Sequence, residues 1–443
     1  MDIFKYILVF SSILLAQNGE IKFHSINKDT ILNNLNEYLA DNSSLTKQFI
    51  LKSFQLDNKS STYDVIDTKK KIDSLIFLDK KQIHDIVLNQ IFSPFKKTIL
   101  GSGIMNASAN VKSRYYFINK EPNLELGLVS NEILCALLSF EPNFESHFSG
   151  VIGINRYQNK WNFNGEINLK LENYFMHAEH LDIYWRRLDS LSQVFKINTE
   201  VPHPLGWDTG INFNYHYEIF NGLYTFYESR IAVNSYNQIL KNIGIGYVLG
   251  RTNATQKGFS YGFYNVEYKA FSLSLKNNFI NDRLFPNSGF SFHTILDIGL
   301  DENLYYLEWN LLLNKYYSFT KKTHYEFQFI SRGIDYYKNV VPKSRYFLFG
   351  GSSSLRGYDE KEFSSPHYQI LTFELGYRPN DTFQTTLFFD LGSDRLNLLK
   401  NNWIGYGFGL KQIRKDTIIK LEYGLSDFNL NNGKIHFEWI SLL

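Results

Sequence analysis

Phe349-Gly350-Gly351-Ser352-Ser353-Ser354-Leu355-Arg356-Gly357-Tyr358 places one arginine in a glycine- and serine-rich loop, late in a chain that otherwise reads as alternating strands. A guanidinium on such a loop needs water or an anionic partner. Two acidic residues downstream can supply one, Glu374 and Asp390. Leu371, Phe373, Leu375 and Tyr377 make one face of a period-two run, so Glu374 points to the other face. Leu387, Phe389 and Leu391 leave Asp390 on the polar side in the same way. If these strands wall a closed barrel, both carboxylates face its lumen and the loop folds back to meet them.

The alternation extends through most of the chain. Ile167, Leu169 and Leu171 alternate with Glu166, Asn168, Lys170 and Glu172, and Leu181, Ile183 and Trp185 with Asp182, Tyr184 and Arg186. The pattern returns at Phe271 to Leu275, Leu307 to Leu311, Tyr325 to Phe329, Ile419 to Tyr423 and Ile435 to Trp439. Turn signals such as Asn221-Gly222, Asn287-Ser288-Gly289 and Asn432-Gly433 separate the runs. In a soluble sheet the apolar face meets a second sheet; in a membrane barrel it meets lipid, and the polar face lines the lumen. Residues 143–443 hold about 16 strands at roughly 19 residues per strand and connection, which is long for one soluble sandwich. The expected fold is therefore all-β: a transmembrane antiparallel β-barrel over 143–443.

Composition agrees. Aromatic residues make up 17% of the 443, with 38 Phe and 30 Tyr, as barrels with aromatic girdles at both bilayer interfaces require. The formal net charge of +2 gives no argument for nucleic acid as a partner. The single cysteine, Cys135, lies in an apolar run and reads as a small buried hydrophobe. No metal-ligand spacing, phosphate-binding loop or nucleophile elbow is legible, so the expected cofactors are none and the expected class is not an enzyme. Read as a catalytic acid/base pair, Glu374 and Asp390 would need a substrate; Arg356 gives them a simpler role.

The first part of the chain differs. Lys5 followed by an apolar stretch from Tyr6 to Ala16 has the form of a signal peptide over 1–16, too short to span a bilayer. Helical spacing over Ile31–Leu39 and a strand near Lys71–Leu78, followed by a helix near Gln82–Phe92, predict small α+β modules over 17–70 and 71–142. Arg114–Ile118 and Leu124–Leu128 are further apolar segments.

Gly350, Gly351, Ser354, Leu355, Arg356, Gly357 and Tyr358 together resemble the lid-loop motif of the BamA/TamA family, the bacterial surface antigen superfamily of outer-membrane assembly and translocation barrels. Leu371–Pro379 and Leu387–Gly392 resemble the two wall strands that follow that loop, and Arg283–Gly289 resembles a hairpin start in family barrels. Lys71–Phe92 looks like the beginning of a POTRA module, with a second, degraded one over 17–70.

The resemblance implies a loop whose arginine contacts Glu374 and Asp390 on the inner wall. It also implies a seam between the first strand, near Val151–Ile154, and the last, near Ile435–Trp439. Gly150 and Gly153, with Trp439, would form a lateral gate there. The implied function is insertion, assembly or translocation of polypeptides at the outer membrane, with the N-terminal region periplasmic. The implied partners are outer-membrane lipid and unfolded or partly folded client proteins, with periplasmic chaperones or accessory lipoproteins beside them. The alternatives are a plugged pore or structural outer-membrane protein without assembly activity, or a transporter of lipid or of a secreted protein.

Overall fold

The computed structural model describes residues 20–23, 47–55, 60–67 and 71–442, apart from short intervals at 79–81, 97, 99–101, 119, 130–132, 158–159, 190, 237–241, 284, 353, 396–401, 415–416 and 428. The expected signal peptide, the helix expected over Ile31–Leu39 and Ser353 of the arginine loop lie outside the described residues. Two compact units are present: Met1–Asp79 with Ile91–Val111 and Glu121–Phe140, and Lys80–Gln90 with Lys112–Lys120 and Glu141–Leu443.

In the first unit β1 (Glu20–Phe23), β2 (Lys47–Gln55) and β3 (Ser60–Asp67) form an antiparallel sheet in the order β1-β3-β2. A second sheet has β4 (Ser74–Phe77) parallel to β6 (Ile133–Ser139), and β5 (Asn123–Val129) antiparallel to β6. Ile72 and Ala136 are fully buried, with Leu75, Ile104 and Leu124 packed on them. Phe92 touches Phe77, Phe95 and Phe140. Cys135 is buried and shares a 2.8 Å hydrogen bond with Ser74. Two helices stand between β4 and β5 in sequence: α1 (Asp85–Ile91), where one is expected, and α2 (Ser102–Arg114), where none is. Arg114, the first residue of the apolar segment Arg114–Ile118, is the last residue of α2. The helix is rich in Ser and Asn, which blurs its helical period.

The second unit is the barrel. β7 (His147–Tyr157), β8 (Lys160–Glu172), β9 (His180–Asp189) and β10 (Ser192–Val201) lead into β11 (Thr209–Phe220), β12 (Tyr224–Ser235) and β13 (Ile243–Ala254). β14 (Val266–Asn278), β15 (Gly289–Asp301), β16 (Leu304–Ser318) and β17 (Thr323–Tyr336) follow. A long connection carries the short hairpin β18 (Phe347–Phe349) and β19 (Phe363–Ser365). Then β20 (His367–Asn380), β21 (Phe383–Ser393), β22 (Asn402–Arg414), β23 (Thr417–Leu425) and β24 (Lys434–Leu442) complete the wall. Sixteen strands close in sequence order, every neighbour antiparallel. Strand lengths run from nine residues in β23 and β24 to fifteen in β16. We call the rim where β7 begins and β24 ends the lower rim.

The period of two decides which side chains meet what. In β14, Tyr268, Ala270 and Ser272 turn inward and are buried, while Phe271 is 72% exposed and Leu273 half exposed on the outer face. Ile245, Leu387 and Phe389 lie on the same outer face of their strands. A continuous apolar belt of this size is not tolerated in water, and lipid is its solvent. Exposed aromatics stand at both rims: Tyr174, Phe175, Trp207 and Phe319 at the lower, Tyr261, Tyr264, Tyr305 and Tyr337 at the upper. These are the girdles of a transmembrane barrel.

Closure is uneven. Neighbouring strands elsewhere in the wall pair over eight or more residues, as in β23–β24 and β7–β8. The seam between β24 and β7 has two pairs, Ser441 with Phe148 and Leu442 with His147. The expected strands meet, but not at the expected residues: Gly150, Gly153 and Trp439 lie on them beyond the paired segment. Barrel stagger sets this register, and local alternation carries no information about it.

Phe271→Arg puts a charge on the lipid face near the middle of β14 and should destabilise the barrel by about 3 kcal/mol in lipid. Urea titration of barrel refolded into vesicles measures this; an unchanged midpoint would place that face away from hydrocarbon.

Candidate functional site: an arginine loop in the lumen

The connection from β17 to β20 folds inward on apolar and ionic contacts. Phe349, Leu355, Tyr368 and Ile370 form a buried cluster, with Phe363, Tyr358 and Trp403 against it. Ser354 Oγ accepts from the Gly350 amide at 2.8 Å, and the Gly351 amide donates to the Leu355 carbonyl at 3.0 Å. Gly357 has φ +91°, a left-handed conformation that glycine adopts without strain. The Tyr358 hydroxyl donates to the Ile404 carbonyl at 3.2 Å. These contacts set the loop before its cation is considered.

Arg356 sits at the turn and is 6% exposed. Its Nε and Nη2 donate to the two oxygens of Asp390 at 2.8 and 2.7 Å, and its backbone amide donates to Asp390 Oδ2 at 3.1 Å. Nη1 donates to Glu374 Oε1 at 2.5 Å and to Glu422 Oε1 at 3.0 Å. The guanidinium carbon lies 3.6 Å from the centre of the Phe388 ring. Asp390 also accepts from the Thr372 hydroxyl at 2.9 Å, and Lys420 Nζ lies 2.9 Å from the second oxygen of Glu422. Burial works against the charge of Arg356, but Asp390, Glu374 and Glu422 together hold its pKa above the ordinary arginine value. The planar five-donor fork is what lets one side chain serve three carboxylates.

The wall makes room for this. A Cβ on Gly405 would stand 2.0 Å from the Arg356 carbonyl oxygen, so β22 can pass the loop only as glycine there. Below the loop lies a polar cavity of about 380 Å³, lined in part by Arg356, Glu374, Glu422, Lys420, Glu326 and Arg283. Glu326 and Glu374 face each other in register on β17 and β20, and Glu326 accepts from the Tyr316 hydroxyl at 2.8 Å.

Further cations fasten the connection elsewhere. Lys361 Nζ lies 2.5 Å from Glu218 of β11, halfway around the wall from β21. Arg345 pairs with Glu308 at 2.8 Å and covers the Tyr268 ring at 3.3 Å.

The structure brings together Arg356, Glu374 and Asp390 of the residues singled out in the sequence, with Gly350, Gly351, Ser354, Leu355, Gly357 and Tyr358 shaping the loop around them. It adds Glu422, Lys361 and Arg345. Glu422 lies between the outward Leu421 and Tyr423, so its parity is legible; its partner is not, because β23 comes two strands after β21. Among the described residues no group of three or more His, Cys, Asp or Glu is placed to hold a metal ion.

Fold and site define a transmembrane β-barrel of the outer-membrane type with a loop folded into its lumen. Residues 261–414, which include the arginine loop, β20 and β21, match the Omp85 superfamily domain. That match lies within the sixteen-strand barrel and spans less than half of the chain. Solved structures similar to it include BamA from Haemophilus ducreyi lacking POTRA domains 1–3, at 14% identity and TM-score 0.51 over 94% of each chain. CdiB from Acinetobacter baumannii is 14% identical with TM-score 0.56, over 94% of this chain and 81% of that one. CdiB from Escherichia coli is 11% identical with TM-score 0.61, over 94% and 84%. At these identities the likeness is one of fold. No curated protein matches the chain in sequence. The fold implies a bacterial outer membrane.

Arg356→Ala leaves Asp390 buried without its main partner and should cost about 3–5 kcal/mol of loop docking. Gly405→Val should displace the loop with every ionic group intact. Both should expose the loop to trypsin at Lys361 in folded barrel; cleavage as slow as in the unsubstituted protein would mean that the pairing does not hold the loop.

Proposed function

We propose that the protein inserts or translocates polypeptides at the bacterial outer membrane, with β7 and β24 as its gate and the Arg356 loop as a lid latched in the lumen. The observation that carries this reading is the two-pair seam. Continuing its register upward would set Trp439 opposite Gly150 and His436 opposite Gly153. Over that stretch neither strand is paired with the other, and an unpaired strand edge is a template for another strand. A client segment can add there by β-augmentation, gaining main-chain hydrogen bonds without a sequence requirement. Gly150 and Gly153 add little side-chain packing to β7, which suits an edge that exchanges partners.

In this reading the N-terminal region is periplasmic. The sheet of β4, β5 and β6 belongs to a POTRA-like module over 71–142, and the strands before residue 68 to a second, degraded one. These modules receive unfolded or partly folded clients, alone or with chaperones or accessory lipoproteins. The protein works as a scaffold and not as an enzyme. The lumen filled by the loop supports a second reading, a plugged structural barrel without assembly activity.

Gly150→Cys with Trp439→Cys, in a Cys135→Ser background, should form a disulfide that locks the seam. Oxidation of these cells and depletion of the protein should both lower the levels of outer-membrane barrel proteins, and a reductant should restore them in the locked cells. An outer-membrane proteome unchanged by both depletion and locking would leave the plugged-barrel reading in its place.

A further inference from the structure

The seam is paired only at its lower end, at His147 and Phe148. The residues immediately before them are tied down from across the barrel. Arg283 belongs to the connection between β14 and β15, halfway around the sixteen-strand wall from β7. It forms a two-point ion pair with Glu172 at the end of β8, Nη1 to Oε2 at 3.0 Å and Nη2 to Oε1 at 2.7 Å. The same Nη1 donates to the Asn143 carbonyl at 3.0 Å. Glu172 in turn accepts from the Glu145 amide at 2.8 Å, and its own amide donates to Ser146 Oγ at 2.9 Å. The Glu172 side chain is fully buried, with Lys170 and His180 also within ion-pair distance. The Arg283 guanidinium carbon also lies 5.3 Å from the centre of the Tyr116 ring.

We propose that Arg283 is a positioning residue for the seam: clamped on Glu172 and on the backbone of Asn143, it holds the start of β7 in register with the end of β24. Segment 143–146 has no strand partner of its own; the Asn143 amide donates to the Phe117 carbonyl at 2.8 Å and Phe144 packs on the Phe117 ring, and the Arg283 and Glu172 bonds supply the remaining ties to the wall. Fixing it fixes where His147 enters the wall. The two seam pairs are few beside the ladders of eight or more elsewhere in the wall, and a short isolated pairing of strands is marginal in water. A tie across the lower mouth therefore keeps the seam closed at one end while the rest of its edge stays unpaired. The idea deepens the gate reading above and rests on it for its biological meaning.

Seam closure can be read without any client. In a Cys135→Ser background, Phe148→Cys with Ser441→Cys reports the seam, and Ile419→Cys with Trp439→Cys reports the neighbouring β23–β24 ladder as a control. Arg283→Ala should slow seam cross-linking about tenfold and leave the control unchanged; this is below the full effect of breaking a buried pair because Arg283 keeps some contact with solvent. Arg283→Lys, which keeps the charge but loses the fork, should fall between. Glu172→Gln gives the same readout should Arg283→Ala fail to fold, as judged by heat-modifiable mobility. Seam cross-linking at the unsubstituted rate in a folded variant would overturn the proposal, and so would equal slowing of seam and control. Unchanged assembly function in a variant whose seam cross-linking slows as expected would count against the gate reading and leave the clamp standing.

Discussion

A sheet in hydrocarbon must leave no backbone polar group unpaired, and it meets that demand by closing on itself. In this protein everything else is arranged around how incompletely that is done. Fourteen of the strands are locked to both neighbours by long ladders, while β7 and β24 share two pairs. Ion pairs between the connections and the inner wall add ties to these ladders.

Those ties share one chemistry. A cation on a connection reaches carboxylates on the wall: Arg356 to Asp390, Glu374 and Glu422, Lys361 to Glu218, Arg345 to Glu308, and Arg283 to Glu172. Removing charges from water is costly, so such pairs are weak as net stabilisers and strong as determinants of geometry, because each partner is poorly satisfied anywhere else. Arginine predominates, and its fork suits sites where several acceptors converge. Aromatic faces complete the sites at Phe388 and Tyr268, where a cation gains from a ring without needing a further hydrogen bond.

How much of this was legible in the sequence follows from the range of each interaction. Alternation is local, so the barrel, its approximate strand number and the inward direction of Glu374 and Asp390 could be read from neighbouring residues. Glu422 obeyed the same parity but lay outside the motif that drew attention to the other two. Glu172 and Glu218 also sit on polar faces, yet their partners approach from connections half a circumference away, and no spacing in the chain records that distance. The seam register is set by the accumulated stagger of sixteen strands, which explains why the two end strands were identified and their contact residues were not. Helix α2 escapes for the opposite reason: its signal is local but weak, because the inward face of Ile104, Ala107, Ser108 and Val111 holds only two large apolar side chains.

Strand length has a consequence for the lipid. At a rise of 3.4 Å per residue and a tilt near 40°, the fifteen residues of β16 make a wall about 39 Å tall, and the nine of β24 one of about 23 Å. A typical outer-membrane apolar band is ~25 Å. Acyl chains therefore meet a full-height wall on one side of the protein and a low one on the other, and beside the low one they must shorten or tilt at a cost of a fraction of a kcal/mol per Å. The membrane beside β23 and β24 is thereby held thinner than beside β16 by the shape of the protein itself.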